Sequence, residues 1–477
     1  MPTQEPPVIT GRVRFLYGIG AAAYGVKDNG FNYLLLLYYN QVLGLPASLA
    51  GLAIMIALAF DAISDPLVGT WSDNTTSRWG RRHPFMYASA LPVSVAYFFL
   101  WAPPFDNPSH TTLFVFLTVI SIVIRFLITL YEIPSTALVA ELTEDYDERT
   151  RLLSMRYMFG WFGGLTMSAL AWGFFLANSE AHPVGVLNRD GWRGYGWLAA
   201  FVIFASIMLS SLGLHRFIPM LNAAPAGRSR GVLETFKGVR VTFDNRNFLA
   251  LFVATLFASV GAGISSNFNS YINLHFWGFT PQQIKFIPMS LFLSAIVAAV
   301  LAPRIAARLD KKRATMNIYA ISILYGALPV VLRLLDLFPD NGHPWLLPIM
   351  VFHAATEIVL LIMFGILNSS MLADVVEHSE ASTGRREEGL FFAARTFAHK
   401  VASSAGVFVA GIALELISFP SGAEPGSVPD DVIFNMGVIF GPLLMIFYGF
   451  AWRSLSYYEI TRAGHDERVE AARDSAA

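Results

Sequence analysis

Long apolar runs separated by short polar stretches set the pattern of this chain. Twelve of them stand out, at roughly 14–42, 48–71, 84–102, 112–140, 152–177, 194–218, 247–277, 283–306, 315–338, 344–370, 390–418 and 431–453. A helix that crosses a bilayer needs about 20 predominantly apolar residues, so the pattern predicts twelve transmembrane helices. The first, fourth and tenth runs carry polar residues in mid-span. A charge at the bilayer centre costs about 2.5–3.5 kcal/mol on insertion scales, which makes those interruptions the first places to look for function.

Composition agrees with the pattern. Only 14% of the 477 residues are charged and 55% are hydrophobic, against about 25% charged in soluble chains. The deficit runs along the whole sequence, as in a polytopic membrane protein. A net charge of −1 gives no reason to expect a nucleic-acid partner, and the absence of cysteine excludes disulfides, thiolate chemistry and cysteine-held metals. The first seven residues, Met1-Pro-Thr-Gln-Glu-Pro-Pro7, are polar and proline-rich with no basic stretch before the first apolar run. No signal peptide is therefore expected, and the first run should be a retained helix.

Basic residues orient the spans. Arg78, Arg81 and Arg82 follow span two, Arg149 and Arg151 follow span four, and Arg228, Arg230, Lys237, Arg240 and Arg246 fall between spans six and seven. Lys311, Lys312 and Arg313 follow span eight, and Arg385 and Arg386 follow span ten. The alternate loops are nearly free of Lys and Arg; Arg189 and Arg193 are the main exceptions. Both termini are thus expected in the cytoplasm. The connection at 219–246 splits the spans six and six. Its section 223–231 reads as a flexible linker, followed by a short surface helix over Val232–Phe243.

The two halves echo each other. Arg78-Trp-Gly-Arg-Arg82 after span two has a counterpart in Arg308-Leu-Asp-Lys-Lys-Arg313 after span eight, and 135–144 resembles 369–377. The fold class expected is an all-α membrane protein: twelve helices in two pseudo-symmetric six-helix bundles, 1–218 and 247–453, joined by 219–246 and followed by a cytoplasmic tail, 454–477. Parallel six-helix repeats of this kind form transporters with a site near mid-membrane.

The candidate chemistry begins with Asp61 and Asp65, one helical turn apart after the apolar run 51–60. Residues four apart share a helix face, so the pair reads as a cation site. The same groups would carry a proton if burial favours their neutral form. A plainer reading makes Asp65 a cap before Pro66. In span one, Asp28 lies between Lys27 and Asn29, with Tyr24 and Asn32 on its face; either it faces a solute or it forms a neutral pair with Lys27. Glu132 and Arg125 in span four are seven residues apart and nearly on one face. Either they pair, or Glu132 accepts solute hydroxyls while Arg125 tunes it. Arg156 offers a rigid fork of donors, and Lys400, one turn after Thr396, is a mobile charge suited to neutralising Asp61 or Asp65. His353 and Glu357 in span ten are four apart; an interhelical hydrogen bond is the reading preferred over metal ligation. The mixed charge runs 143–151 and 377–388 read as solvated gates or latches in cytoplasmic loops. Gly160 through Gly164 read as helix packing, with no phosphate loop and no nucleophile constellation visible.

Taken in order, these residues resemble the glycoside–pentoside–hexuronide:cation symporter family of the major facilitator superfamily, whose familiar member is the melibiose permease. The resemblance covers nearly the whole chain. It is carried by Tyr17-Gly-x-Gly20 through Lys27-Asp28 to Tyr38-Tyr39, Asp61-Ala-Ile-Ser-Asp65-Pro66, Arg78-Trp-Gly-Arg-Arg-His-Pro84, Ile133-Pro134, Arg156, Met371-Leu-Ala-Asp374 and Lys400. It implies that Asp61, Asp65 and Thr396 bind the coupling cation. It also implies that Asp28, Glu132 and Arg156 bind the solute and that Lys400 links the two sites. One departure is clear. The melibiose type has a tryptophan one turn after the span-four acid, where this chain has Thr136; Trp161 is the candidate to replace it. The function expected is symport of a sugar or glycoside with Na⁺ or H⁺, by a monomer with no cofactor, and the resemblance with the absent signal peptide implies a bacterial inner membrane. Two alternatives share the scaffold: a symporter of lysolipids or other amphiphiles, and a proton-driven exporter. An enzyme is not expected.

Overall fold

The computed structural model describes residues 9–143, 145–221, 243, 245–308, 311–383 and 388–460. They form twelve helical segments. The first, α1, spans residues 11–42, broken by a turn at Gly20 and loosened by π-helical turns at Gly30–Leu34 and Tyr38–Val42. Then follow α2 (Ala47–Asp73), α3 (His83–Trp101), α4 (His110–Leu142), α5 (146–175), α6 (Arg189–Leu214), α7 (Arg246–Phe276) and α8 (Phe286–Arg308). The last four are α9 (Lys311–Leu334), α10 (Leu346–Thr383), α11 (Glu388–Leu416) and α12 (Asp430–Leu455).

Local chemistry sets several of the starts. Ser109, Asp145, Asn188 and Asn245 accept hydrogen bonds from first-turn amides of α4, α5, α6 and α7, satisfying donors that a helix start leaves orphaned. Ten of the segments are long and apolar enough to cross a membrane. The other two are α1, which carries Arg12, Arg14, Lys27 and Asp28, and α5, which carries Asp147, Glu148, Arg149, Arg151 and Arg156. Both are helices that line the interior, where charge is tolerated because protein or cavity water surrounds it.

The charge runs expected in loops are mostly helix. Residues 145–151 build the start of α5, whose first-turn acids Asp147 and Glu148 suit the positive helix end. Residues 377–383 extend α10, and Lys311, Lys312 and Arg313 open α9. The section 223–231 and the surface helix expected after it fall outside the described residues, save Phe243, which sits in a turn.

The outward faces are apolar. Leu91, Val95 and Phe99 on α3 and Val115, Val119 and Val123 on α4 recur every four residues and are exposed, which is the face a helix shows to lipid. Polar groups turn inward instead. Small residues let α1 and α5 touch: a Cβ at Gly25 would lie 1.8 Å from the Gly160 carbonyl oxygen, so backbones meet there as in small-residue packing of membrane helices.

The halves are stitched together on the side away from the basic loops. Ser48 Oγ donates to Glu415 Oε1 at 2.7 Å, Gln41 Nε2 to the Pro420 carbonyl at 3.1 Å, Tyr271 Oη to Asn40 Oδ1 at 3.0 Å and Gln282 Nε2 to the Asn178 carbonyl at 2.9 Å. On the basic side, Arg14 pairs with Glu148 at 2.5 Å, Arg81 with Glu141 at 2.7 Å and Lys311 with Asp374 at 2.7 Å, each within one half.

Candidate functional site

Between the halves lies a cavity of about 490 Å³, within the 300–1,000 Å³ or so of small-molecule sites. Its N-terminal-half wall carries Tyr24, Asp28 and Asn32 from α1, Glu132 and Thr136 from α4, and Arg156 and Trp161 from α5. The face predicted for α1 is therefore the face that lines the cavity. Asp28 does pair with Lys27, its Oδ1 taking a bond from Lys27 Nζ at 2.5 Å, and the carboxylate stays one-third exposed at the cavity wall while Lys27 is buried.

Glu132 pairs with Arg156 at 2.7 Å, and Arg156 also donates to the Glu132 carbonyl at 3.4 Å. This corrects the expectation that Arg125 partners or tunes Glu132. Arg125 instead pairs with Asp61 of α2, Nη1 to Oδ2 at 2.5 Å, in a fully buried setting over the Phe31 ring. Seven residues along a helix bring two side chains to one face, but different neighbours stand against the two levels of that face.

The two acids of α2 therefore have different surroundings. Asp61 is buried, with its Oδ1 accepting no hydrogen bond. Asp65 is about a quarter exposed; it accepts from Thr129 Oγ1 at 3.0 Å and forms an ion pair with Lys400, which reaches across from α11. Lys400 therefore joins the halves at mid-span through Asp65. Neither acid lines the main cavity; the pair stands beside it. Thr396 is exposed on α11 and is not among the described partners of Asp65.

Glu357 is the residue that sequence reasoning undervalued. His353 does make an interhelical bond, Nε2 to the Tyr325 carbonyl at 2.8 Å, with the two rings stacked at 4.6 Å. Glu357 does not share that role: it faces the cavity from α10, opposite the acids of α1 and α4. The signal was present, since a carboxylate in an apolar run is the same signal that singled out Asp28. Among the described residues no group of three or more His, Asp or Glu is placed to hold a metal ion.

The arrangement can hold a polar solute between an acid–arginine wall and the opposite half, with an ionic bridge between the halves beside it. The chain is 26% identical to the "Uncharacterized symporter sll1374" of Synechocystis sp., covering 95% of each. It is 25% identical to the "Putative glycoside/cation symporter YagG" of Escherichia coli (strain K12), covering 97% of this chain and 94% of the relative. Its fold matches that of the nucleoside transporter NupG with a TM-score of 0.66 at 14% identity, over 94% of this chain and 99% of the other. The family model described as MFS/sugar transport protein matches residues 16–462, so this chain belongs to that family of transporters and is a twelve-helix membrane carrier, not an enzyme.

Proposed function

We propose that this protein carries a sugar or glycoside across the inner membrane together with a monovalent cation, Na⁺ or H⁺, by alternating access, with both termini in the cytoplasm and one chain sufficing. The observation that carries the reading is the pairing of two sites. A cavity walled by Asp28, Glu132, Arg156 and Trp161 lies beside an inter-half ion pair, Lys400 with Asp65. Carboxylates and a guanidinium are the groups that hold sugar hydroxyls through charge-assisted hydrogen bonds, and Trp161 offers an aromatic face where Thr136 cannot.

In this reading the cation site is Asp65 with the free oxygen of Asp61, and Thr396 as an outer contributor. A cation arriving at Asp65 competes with the Lys400 ammonium. Displacing it loosens the bridge between the halves and frees Lys400 to turn towards the solute. Coupling then follows by linkage: the cation raises solute affinity, and the solute raises cation affinity by the same factor.

The test uses purified protein in proteoliposomes loaded against either a Na⁺ or a proton gradient, with a panel of radiolabelled pentoses, hexoses and their glycosides. Saturable uptake driven by one gradient and lost in Asp65→Asn supports the reading. Failure of every sugar under both gradients, with a lysolipid accumulating instead, replaces it.

A further inference from the structure

Four carboxylates on the helices of the N-terminal half each stand against a base. Asp28 has Lys27, Asp61 has Arg125, Asp65 has Lys400 and Glu132 has Arg156. Each of these four acids is thus neutralised by a fixed cation of the protein. Glu357, on α10 in the C-terminal half, has no such partner among the described residues.

Its surroundings form a site of their own. A second cavity, of about 190 Å³, opens off the main one. Tyr33, Asn269, Glu357 and Ile358 line both, so Glu357 stands at the junction. The second cavity adds Ser265, Ser266, Ser322 and the Tyr448 ring, and no Lys or Arg. Room for the carboxylate is made on α9: a Cβ at Gly326 would lie 2.8 Å from Glu357 Oε1. The titratable groups around it are Tyr33 of α1, Tyr319 and Tyr325 of α9, His353 of α10 and Tyr448 of α12, with Asp28, Glu132 and Arg156 across the main cavity. None of the nearer ones is a fixed cation.

We propose that Glu357 and the hydroxyl-lined cavity beside it are a second site for a monovalent cation taken from solution, Na⁺ or H⁺, distinct from the Asp61–Asp65 site. The reasoning is electrostatic. An uncompensated carboxylate in the membrane is costly, and the described residues supply no base for this one, so its counter-charge comes from the water of the cavity. An all-oxygen set of one carboxylate and several hydroxyls suits a hard cation or a proton and offers nothing to a soft metal. Because Tyr33 belongs to the N-terminal half and Glu357 to the C-terminal half, a cation here sits where the halves must separate. Its occupancy is then coupled to the same movement as the solute.

The experiment is a melting series of the full chain in detergent, in NaCl and in choline chloride at equal ionic strength, at pH 6 and pH 8. It compares wild type, Asp65→Asn, Glu357→Gln and Glu357→Asp. A cation that binds only the folded state raises its stability. The expected result is a Na⁺-dependent or proton-dependent rise in Tm that survives in part in Asp65→Asn, shrinks in Glu357→Gln to the share the Asp61–Asp65 site supplies, and is partly restored in Glu357→Asp. Dependence on Na⁺ at both pH values identifies Na⁺ as the occupant, and dependence on pH alone identifies the proton. A cation effect that Asp65→Asn abolishes and Glu357→Gln leaves whole overturns the second site while sparing the first. No cation effect attributable to Glu357 in either salt or pH arm also overturns it. Glu357→Gln is nearly isosteric, and Gly326→Ala, which intrudes on the carboxylate without removing it, gives an independent variant expected to weaken the same cation response.

Discussion

Asp61 and Asp65 are one turn apart on one helix, yet the structure predicts opposite consequences for neutralising them. Asp61→Asn keeps the shape of the side chain and removes its charge. Arg125 is then left buried, with 2% of its side chain exposed, and without the carboxylate that sat 2.5 Å from it. Breaking a buried pair by removing one partner costs about 3–5 kcal/mol. Removing both charges, in Asp61→Asn/Arg125→Met, eliminates the stranded cation, and the double variant should regain most of that loss. Each single change strands a buried charge and the double change strands none, so the cycle should show a favourable coupling of about 3 kcal/mol or more, at or above the upper end for residues in direct contact. Asp65→Asn differs, because its partnership with Lys400 is solvated, with 25% and 24% of the two side chains exposed. Its stability cost should be smaller than that of Asp61→Asn, because the Lys400 ammonium left behind keeps access to water, while its effect on cation-driven uptake should be nearly complete. The assay is unfolding in detergent for the four chains of the cycle and for Asp65→Asn, paired with uptake in proteoliposomes. If the double variant is no more stable than Asp61→Asn, or if Asp65→Asn destabilises as much as Asp61→Asn, the division of the two acids into a structural pair and an exchangeable one is wrong.

Three further outcomes follow from particular contacts. Arg156→Lys keeps the charge but loses the planar fork that serves Glu132 and the cavity at once; solute binding should weaken at least tenfold, measured by equilibrium binding, with little change in Tm. Gly25→Ala would place a methyl 1.8 Å from the Gly160 carbonyl oxygen, which exceeds ordinary overpacking at about 1–3 kcal/mol. Loss of monodisperse protein is expected on size exclusion, whereas Gly365→Ala, with nothing within 4 Å of its Cβ, should be tolerated. At the basic-loop end, the hydrogen bond and charge of Arg14 hold the Glu148 carboxyl below the usual carboxylate range. A depressed pKa contributes stability above the unfolded value, about 4.3, and loses it as pH falls through the folded one. The Tm difference between wild type and Glu148→Gln should therefore shrink on acidification below that value, and a difference that stays constant to pH 3 would contradict the pairing.

What the sequence determined by itself was everything that depends on the solvent being lipid. Apolar runs of spanning length, the alternation of basic and neutral loops, and carboxylates set in apolar context follow from the cost of placing charge in a bilayer, and that cost is paid residue by residue along the chain. The twelve helices, the two halves and the inward face of Asp28 were legible for this reason. Which acid meets which base was not. Arg125 and Glu132 share a helix face and invite pairing, yet α2 lies against the level of Arg125 and α5 against the level of Glu132, so Asp61 and Arg156 take them. Lys400 chooses Asp65 over Asp61 because Asp61 is already held. Glu357 read, with His353, as a group for an interhelical hydrogen bond until α9 supplied the Tyr325 carbonyl to the histidine and a bare glycine to the glutamate. An ion pair is a relation between helices, and the spacing along one helix carries no record of what the next presents at each level. The tertiary structure alone decided these partners, and with them which carboxylate is left to take its counter-ion from solution.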